Sequence, residues 1–168
     1  GCSVAGTAGN DVAGAVKVAA AADAIVLAMG IDQSQEREGL DRTVTTLPGE
    51  QAELVAQVAA LGKPTVLLLL SGGTISLGEL KAAVPAIVAA PYGGEMGGVA
   101  LAEVLFGAAS PSGKLAATMY PPEFARQVPL TQMSLTAPPG RTHMFYSGQA
   151  EYAFGSGLTY TSWRLEWH

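Results

Sequence analysis

The sequence predicts an α/β fold built on a mostly parallel sheet, and three observations carry that prediction. Short apolar runs of strand length recur at Ala24–Met29, Thr65–Leu70 and Ala86–Ala90, with a fourth at Lys114–Met119. Segments with apolar residues at helical spacing lie between them. Strands joined through helices on one sheet use right-handed crossovers, which make neighbouring strands parallel.

The elements follow in order. Asp11 is a suitable N-cap for a helix over Val12–Ala22, with Val12, Val16, Ala19 and Ala20 on one face. The strand Ala24–Met29 reads as buried on both sides and leads into a polar stretch, Gly30 to Leu47. Pro48 suits a first helical turn, and Gln51, Leu54, Val55, Val58 and Leu61 continue the helix to Gly62. The strands Thr65–Leu70 and Ala86–Ala90 come next, then a helix over Glu95–Phe106 closed by Gly107, then Lys114–Met119. From about Tyr120 the texture turns to proline, glycine and aromatics, including Pro121, Pro122, Pro129, Pro138 and Pro139, an extended tail that must pack on something.

Composition narrows the function. The 168 residues fit one domain with one core. With 49% apolar and 14% charged residues, the chain is no disordered solvating segment. Its net charge of −5 and lack of any Lys/Arg cluster argue against a nucleic-acid partner. The charge-free stretch Pro64 to Gly78 is too short for a membrane span, so no membrane partner is expected. Cys2 is the only cysteine, which rules out an internal disulfide and leaves the compartment open. Gly1 to Asn10 lacks the pattern of a signal peptide, and the first residue is not Met, pointing to a chain cut from something longer.

Charge concentrates in one place. Asp32, Glu36, Arg37, Glu38, Asp41 and Arg42 occupy six of eleven consecutive positions, directly after the first strand. Ligands of open α/β sheets bind beyond the carboxyl ends of strands, although charged loops also serve simply as solvated faces. Ser71-Gly72-Gly73 fits either a ligand-approach turn or a turn needing φ > 0. Gly93-Gly94-Glu95-Met96-Gly97-Gly98 lacks the lysine of a phosphate loop and the full dinucleotide fingerprint, so close helix–sheet packing is the better account. His143 and His168 are too isolated for a metal site, and His143 reads as a packed or rim residue. No metal or cofactor is expected.

A resemblance then links these segments. The run Gly30-Ile31-Asp32-Gln33-Ser34-Gln35-Glu36-Arg37-Glu38-Gly39-Leu40-Asp41-Arg42, followed by Leu47-Pro48-Gly49-Glu50-Gln51, resembles the acid/base loop of family 3 glycoside hydrolases. The likeness continues through Leu70-Ser71-Gly72-Gly73, Tyr92 to Gly98, Leu105-Phe106-Gly107, Ser110 to Leu115, Gly140-Arg141-Thr142 and Tyr152 to Tyr160. Its flavour is that of the β-xylosidase branch.

The resemblance implies a three-layer α/β sandwich, residues 1–168 forming one truncated C-terminal domain with 120–168 as its irregular Pro/Gly-rich tail. It further implies a retaining exo-glycosidase of two domains, whose N-terminal (β/α)8 barrel carries the nucleophile. The substrates would be β-linked oligosaccharides or aryl glycosides of xylose or glucose type. The family's acid/base often lies five residues before its Asp-Arg pair, which here is Glu36, with Glu38 as runner-up. Asp41 and Arg42 are expected to brace the loop or bind substrate. None of Asp11, Asp23, Asp32 and Asp41 precedes an aromatic residue, as the family's nucleophile does, so no nucleophile is expected in this chain. His143 stands where Tyr is usual, Ala116-Ala117 replaces Pro-Val, and the family's first strand lies upstream of Gly1. A missing strand would leave an edge or apolar face uncovered. A non-catalytic carbohydrate-binding or interaction module on the same fold is a second reading, and a nucleotide-binding doubly wound domain a third.

Overall fold

The computed structural model describes residues 11–164, 166 and 167. Cys2, His168 and the stretch 1–10, on which the cysteine, histidine and signal-peptide expectations fall, lie outside the described residues. Helix α1 (Val12–Ala21) precedes β1 (Ile25–Gly30), and α2 (Gln51–Ala59) connects β1 to β2 (Thr65–Ser71). The short α3 (Leu80–Ala83) leads to β3 (Ala86–Pro91), then α4 (Gly97–Leu105), α5 (Phe124–Gln127) and α6 (Thr142–Phe145). The three strands form one parallel sheet in the order β1-β2-β3, an α/β sandwich core.

Local chemistry explains why the elements sit where they do. The Asp11 carboxylate accepts from the Gly14 amide at 2.8 Å, satisfying one of the free donors at the start of α1. Lys63 Nζ donates to the Ala20 and Ala22 carbonyls, both at 2.6 Å, at the other end, where a cation suits the helix dipole. A helix of 10 residues is marginal alone, so packing must supply its stability. Helix α1 packs on α2, and α2 on α3. Val55 and Val58 of α2 are fully buried against Leu27, Leu67 and Leu69 of the sheet, in one cluster with Ala19, Ile75 and Leu77.

Several expectations need correction. The whole of β2 from Leu67 to Leu69 is buried, but β1 alternates: Ile25 and Leu27 are buried whereas Val26 is 51% exposed. The continuously apolar β1 run is therefore covered on one face, because no described residue buries Val26. The run Lys114–Met119 forms no fourth strand. Its backbone pairs piecemeal with the tail, Leu115 with Ser156 and Gly155, and Met119 with Tyr152 through an isolated antiparallel bridge. Only Thr118 and Met119 of that segment are buried, with Ala116 and Ala117 exposed. Helix α4 starts at Gly97 rather than Glu95, has no buried residue, and leaves open space around Gly97 and Gly98, so close packing does not explain those glycines. The tail between 119 and 156 is stitched to the core by side chains. Glu151 accepts from the amides of Leu77 and Gly78 at 2.8 and 2.7 Å, and Ser76 Oγ donates to the Tyr120 carbonyl at 2.8 Å. Tyr120 stacks on Phe124, and Tyr146 meets both rings edge-on.

Candidate active site

The three strands end almost level, since Gly30 pairs with Leu70 and Ser71 with Pro91, so the loops that leave them share one edge. The first loop is pinned at its root. Gln51, opening α2, accepts from the Gly30 amide and donates to the Gly30 carbonyl, at 2.8 and 2.9 Å. A side chain at Gly30 would fall on the Leu70 carbonyl oxygen, so the strands can approach only with glycine there. Ile31, buried at the loop's base, accepts a hydrogen bond from the Tyr92 hydroxyl at 2.9 Å, which ties the first loop to the third.

Asp32 then starts a turn. Its carboxylate accepts from the Ser34 amide at 2.8 Å, and its carbonyl accepts from Gln35 and Glu36. Hydrogen bonds from the Ser34 side chain and then its backbone hold the Asp32 carboxyl below its ordinary value of 3.8. The turn delivers Glu36 to the second loop. Its Oε1 accepts from the amides of Gly72 and Gly73 at 3.1 and 2.8 Å, and its Oε2 meets Arg42 Nε at 3.2 Å. Arg42 in turn donates from Nη2 to the Thr74 carbonyl at 2.9 Å. The ion pair is largely enclosed, with side-chain exposures of 13% for Arg42 and 24% for Glu36. A Cβ on Gly72 would come within 2.8 Å of Glu36 Oε1, and one on Gly73 within 2.7 Å of Arg42 Nη2. Neither glycine has positive φ. The Ser71-Gly72-Gly73 motif is therefore there for close approach, and what approaches is the chain's own carboxylate.

Glu38 has a different setting. Arg37 and Leu40 exchange backbone hydrogen bonds at 3.2 and 2.9 Å, closing a two-residue turn with Glu38 and Gly39 at its corners. Gly39 has φ +77°, the positive value a type II turn requires at its third position. Glu38 stands exposed at the apex, engaged by no described residue. Arg37 buttresses the turn from behind by donating to the Gln33 carbonyl at 2.8 Å. Asp41 is also exposed. His143 stacks on Phe154, with ring centres 4.3 Å apart, at the surface. No group of three or more His, Cys, Asp or Glu able to hold a metal occurs among the described residues.

Sequence reading singled out Glu36, Glu38, Asp41 and Arg42; the fold brings Glu36 and Arg42 together in an ion pair and leaves Glu38 and Asp41 exposed. It missed the roles of Gln51 and Tyr92 and of the Gly72 and Gly73 amides. Gln51, Tyr92 and the paired glycines all lie in the segments that carry the resemblance, but nothing in the sequence gives their contacts.

Comparison with known proteins fixes the lineage. The chain is 46% identical to beta-D-xylosidase 1 of Arabidopsis thaliana, over 96% of this chain and 22% of that protein. It is 43% identical to the probable exo-1,4-beta-xylosidase xlnD of Aspergillus clavatus, over 90% of this chain and 20% of that protein. Among solved structures, a GH3 exo-beta-xylosidase (XlnD) in complex with a xylobiose aziridine probe superposes with a TM-score of 0.86 at 40% identity, over 90% of this chain and 20% of its own. A beta-glucosidase from Kluyveromyces marxianus in complex with glucose gives 0.78 at 29% identity, over 90% and 19%. The chain thus spans about a fifth of the length of these relatives. The family model for the glycosyl hydrolase family 3 C-terminal domain matches residues 5–160, and the chain belongs to that family.

Proposed function

We propose that this chain is the acid/base domain of a retaining, exo-acting β-glycosidase that removes terminal β-linked xylose or glucose units, with Glu38 as the acid/base and Glu36 as its anchor. The observation that carries the assignment is the contrast in occupancy between the two carboxylates. Both oxygens of Glu36 are engaged, by two amides and a guanidinium, which hold the group against the connection after β2. Glu38 offers both oxygens from the apex of a turn closed by backbone hydrogen bonds. Spacing from Asp41 favours Glu36 for the role; the free carboxylate at the turn's apex supports Glu38 instead. The relatives named as xylosidases favour xylose.

Retaining hydrolysis needs two carboxyl groups about 5–5.5 Å apart. The nucleophile would come from a barrel domain joined to this one, since no aspartate of this chain carries the family's motif. As the bond between the anomeric carbon and the leaving oxygen breaks, Glu38 gives its proton to that oxygen while the nucleophile forms an ester with the sugar. Glu38, now ionised, then takes a proton from the water that attacks the ester, and the nucleophile departs. Placing the two carboxyls on separate domains gives each its own electrostatic setting.

Kinetics of the two-domain protein test the reading. Glu38→Ala slows glycosylation by about 10²–10⁴-fold for poor leaving groups, the usual contribution of a general acid. Dinitrophenyl substrates are nearly spared in that step, and azide restores their turnover by attacking without a base. Rescue at Glu36→Ala instead, with none at Glu38→Ala, overturns the assignment. The 168-residue chain by itself should show no turnover of aryl β-xylosides.

A further inference from the structure

Tyr92 is 58% exposed, so burial does not explain why an aromatic residue leads the loop after β3. Its contacts do. Ser71, the last residue of β2, pairs with Pro91, the last of β3, so Tyr92 leaves the sheet level with Gly72. From there its hydroxyl donates to the Ile31 carbonyl at 2.9 Å, at the base of the loop after β1. Neighbouring strands lie about 4.8 Å apart, so the side chain crosses the end of β2 to reach a loop two strands away. Gly72 lies in its path. A Cβ on that glycine would come within 3.0 Å of the ring at Cε2 and 2.8 Å of Glu36 Oε1. The ring and the carboxylate therefore flank one spot, and glycine makes room for both.

The three loops at this edge are tied to one another by different means. Glu36 joins the first to the second through the Gly72 and Gly73 amides. Tyr92 joins the third to the first through the Ile31 carbonyl, while the Ile31 amide donates to the Leu70 carbonyl at 3.0 Å. That carbonyl belongs to the peptide plane between Ile31 and Asp32, and Asp32 begins the turn that delivers Glu36. A peptide unit is rigid, so a bond that holds its carbonyl fixes the direction in which the chain continues. We propose that Tyr92 is a positioning residue for the acid/base: a strut from the third loop that sets the course of the loop bearing Glu38. This rests on placing the acid/base in that loop, but it fails separately from it.

The test compares two substrates of the two-domain protein: methoxyphenyl β-xyloside, whose leaving group needs a proton, and dinitrophenyl β-xyloside, whose leaving group does not. Tyr92→Phe keeps the ring and loses the bond to Ile31. It should lower kcat/KM about tenfold on the first substrate and leave the second within about twofold, because a misplaced acid costs only the substrate that needs it. Its Tm should stay within about 4 °C of the parent, the cost of a single hydrogen bond. Tyr92→Ala also loses the ring beside Gly72 and should widen the split between substrates to about a hundredfold. Equal losses on both substrates would mean that Tyr92 only supports the fold, and no loss on the methoxyphenyl substrate would mean that the loop keeps its course without it. Either result overturns the proposal. Azide rescue of Glu38→Ala, read with the dinitrophenyl substrate, reports on the acid/base assignment whatever Tyr92 does.

Discussion

Two glutamates clasp the connection that follows β2, and they do it differently. Glu36 brings one oxygen to the amides of Gly72 and Gly73 and keeps the other for Arg42. Glu151 divides its oxygens, one to the amide of Leu77 and one to that of Gly78. Around Glu151 the cation is used elsewhere: Lys81 bonds the Glu151 carbonyl and lies over the Tyr152 ring, 4.5 Å from its centre. The first clamp ends in a charge pair and holds a loop whose apex is exposed. The second is a plain fork onto the backbone and holds the tail. The same structural device serves positioning in one place and attachment in the other, and the partner of the second oxygen tells them apart.

Removing each carboxylate tests that division. Glu36→Ala should lower turnover of the two-domain protein about a hundredfold, since displacements near 1 Å carry that cost, and azide should not restore it. It also strands Arg42, so denaturant unfolding of the chain should show a loss of about 2–3 kcal/mol from unpaired polar groups. Glu151→Ala should cost a similar 2–3 kcal/mol or so by unfolding, for two stranded amides, yet leave the dependence on leaving group unchanged. A changed dependence at position 151 would break the distinction between the clamps.

Glycine replacements probe the same pair more gently. Gly73→Ala sets a methyl against Arg42 Nη2 and Glu36 Oε2, so the side chains must shift by fractions of an ångström, and turnover should fall about tenfold. Gly78 has φ +57° and meets only Pro122, at 3.6 Å, so Gly78→Ala should cost about 1–2 kcal/mol of stability from backbone strain and nothing in rate. The smallest effect concerns acid. With its folded pKa lowered by Ser34, Asp32 binds fewer protons in the folded chain than in the unfolded one just below pH 3.8. Its contribution is intact above that pH and lost as pH falls through the folded value. Asp32→Asn should make the acid limb of the stability curve slightly shallower, visible as a smaller drop in Tm between neutral and strongly acidic buffer.

The sheet was readable because β1, β2 and β3 are runs whose apolar character needs no partner to be recognised. Lys114–Met119 misled because its five apolar or small residues say nothing of which backbone they pair with, and here they pair with Glu151, Tyr152, Gly155 and Ser156. The four-residue α3 is too short to leave a periodicity. At the site, the charged loop was conspicuous, but the partners of Glu36, the Gly72 and Gly73 amides, lie 36 and 37 residues away. Residue spacing within the loop cannot report those.

Only Arg37 separates Glu36 from Glu38, so about 7 Å of chain joins the clamped carboxylate to the exposed one. The apex is thereby referenced to the end of β2 as well as to the loop that bears it, through Gln33 and Arg42. Lengthening the stretch Thr43 to Thr46 would leave Glu38 where it stands. A single residue inserted on either side of Arg37 would turn it away, which makes this three-residue segment the part of the loop least free to vary in length.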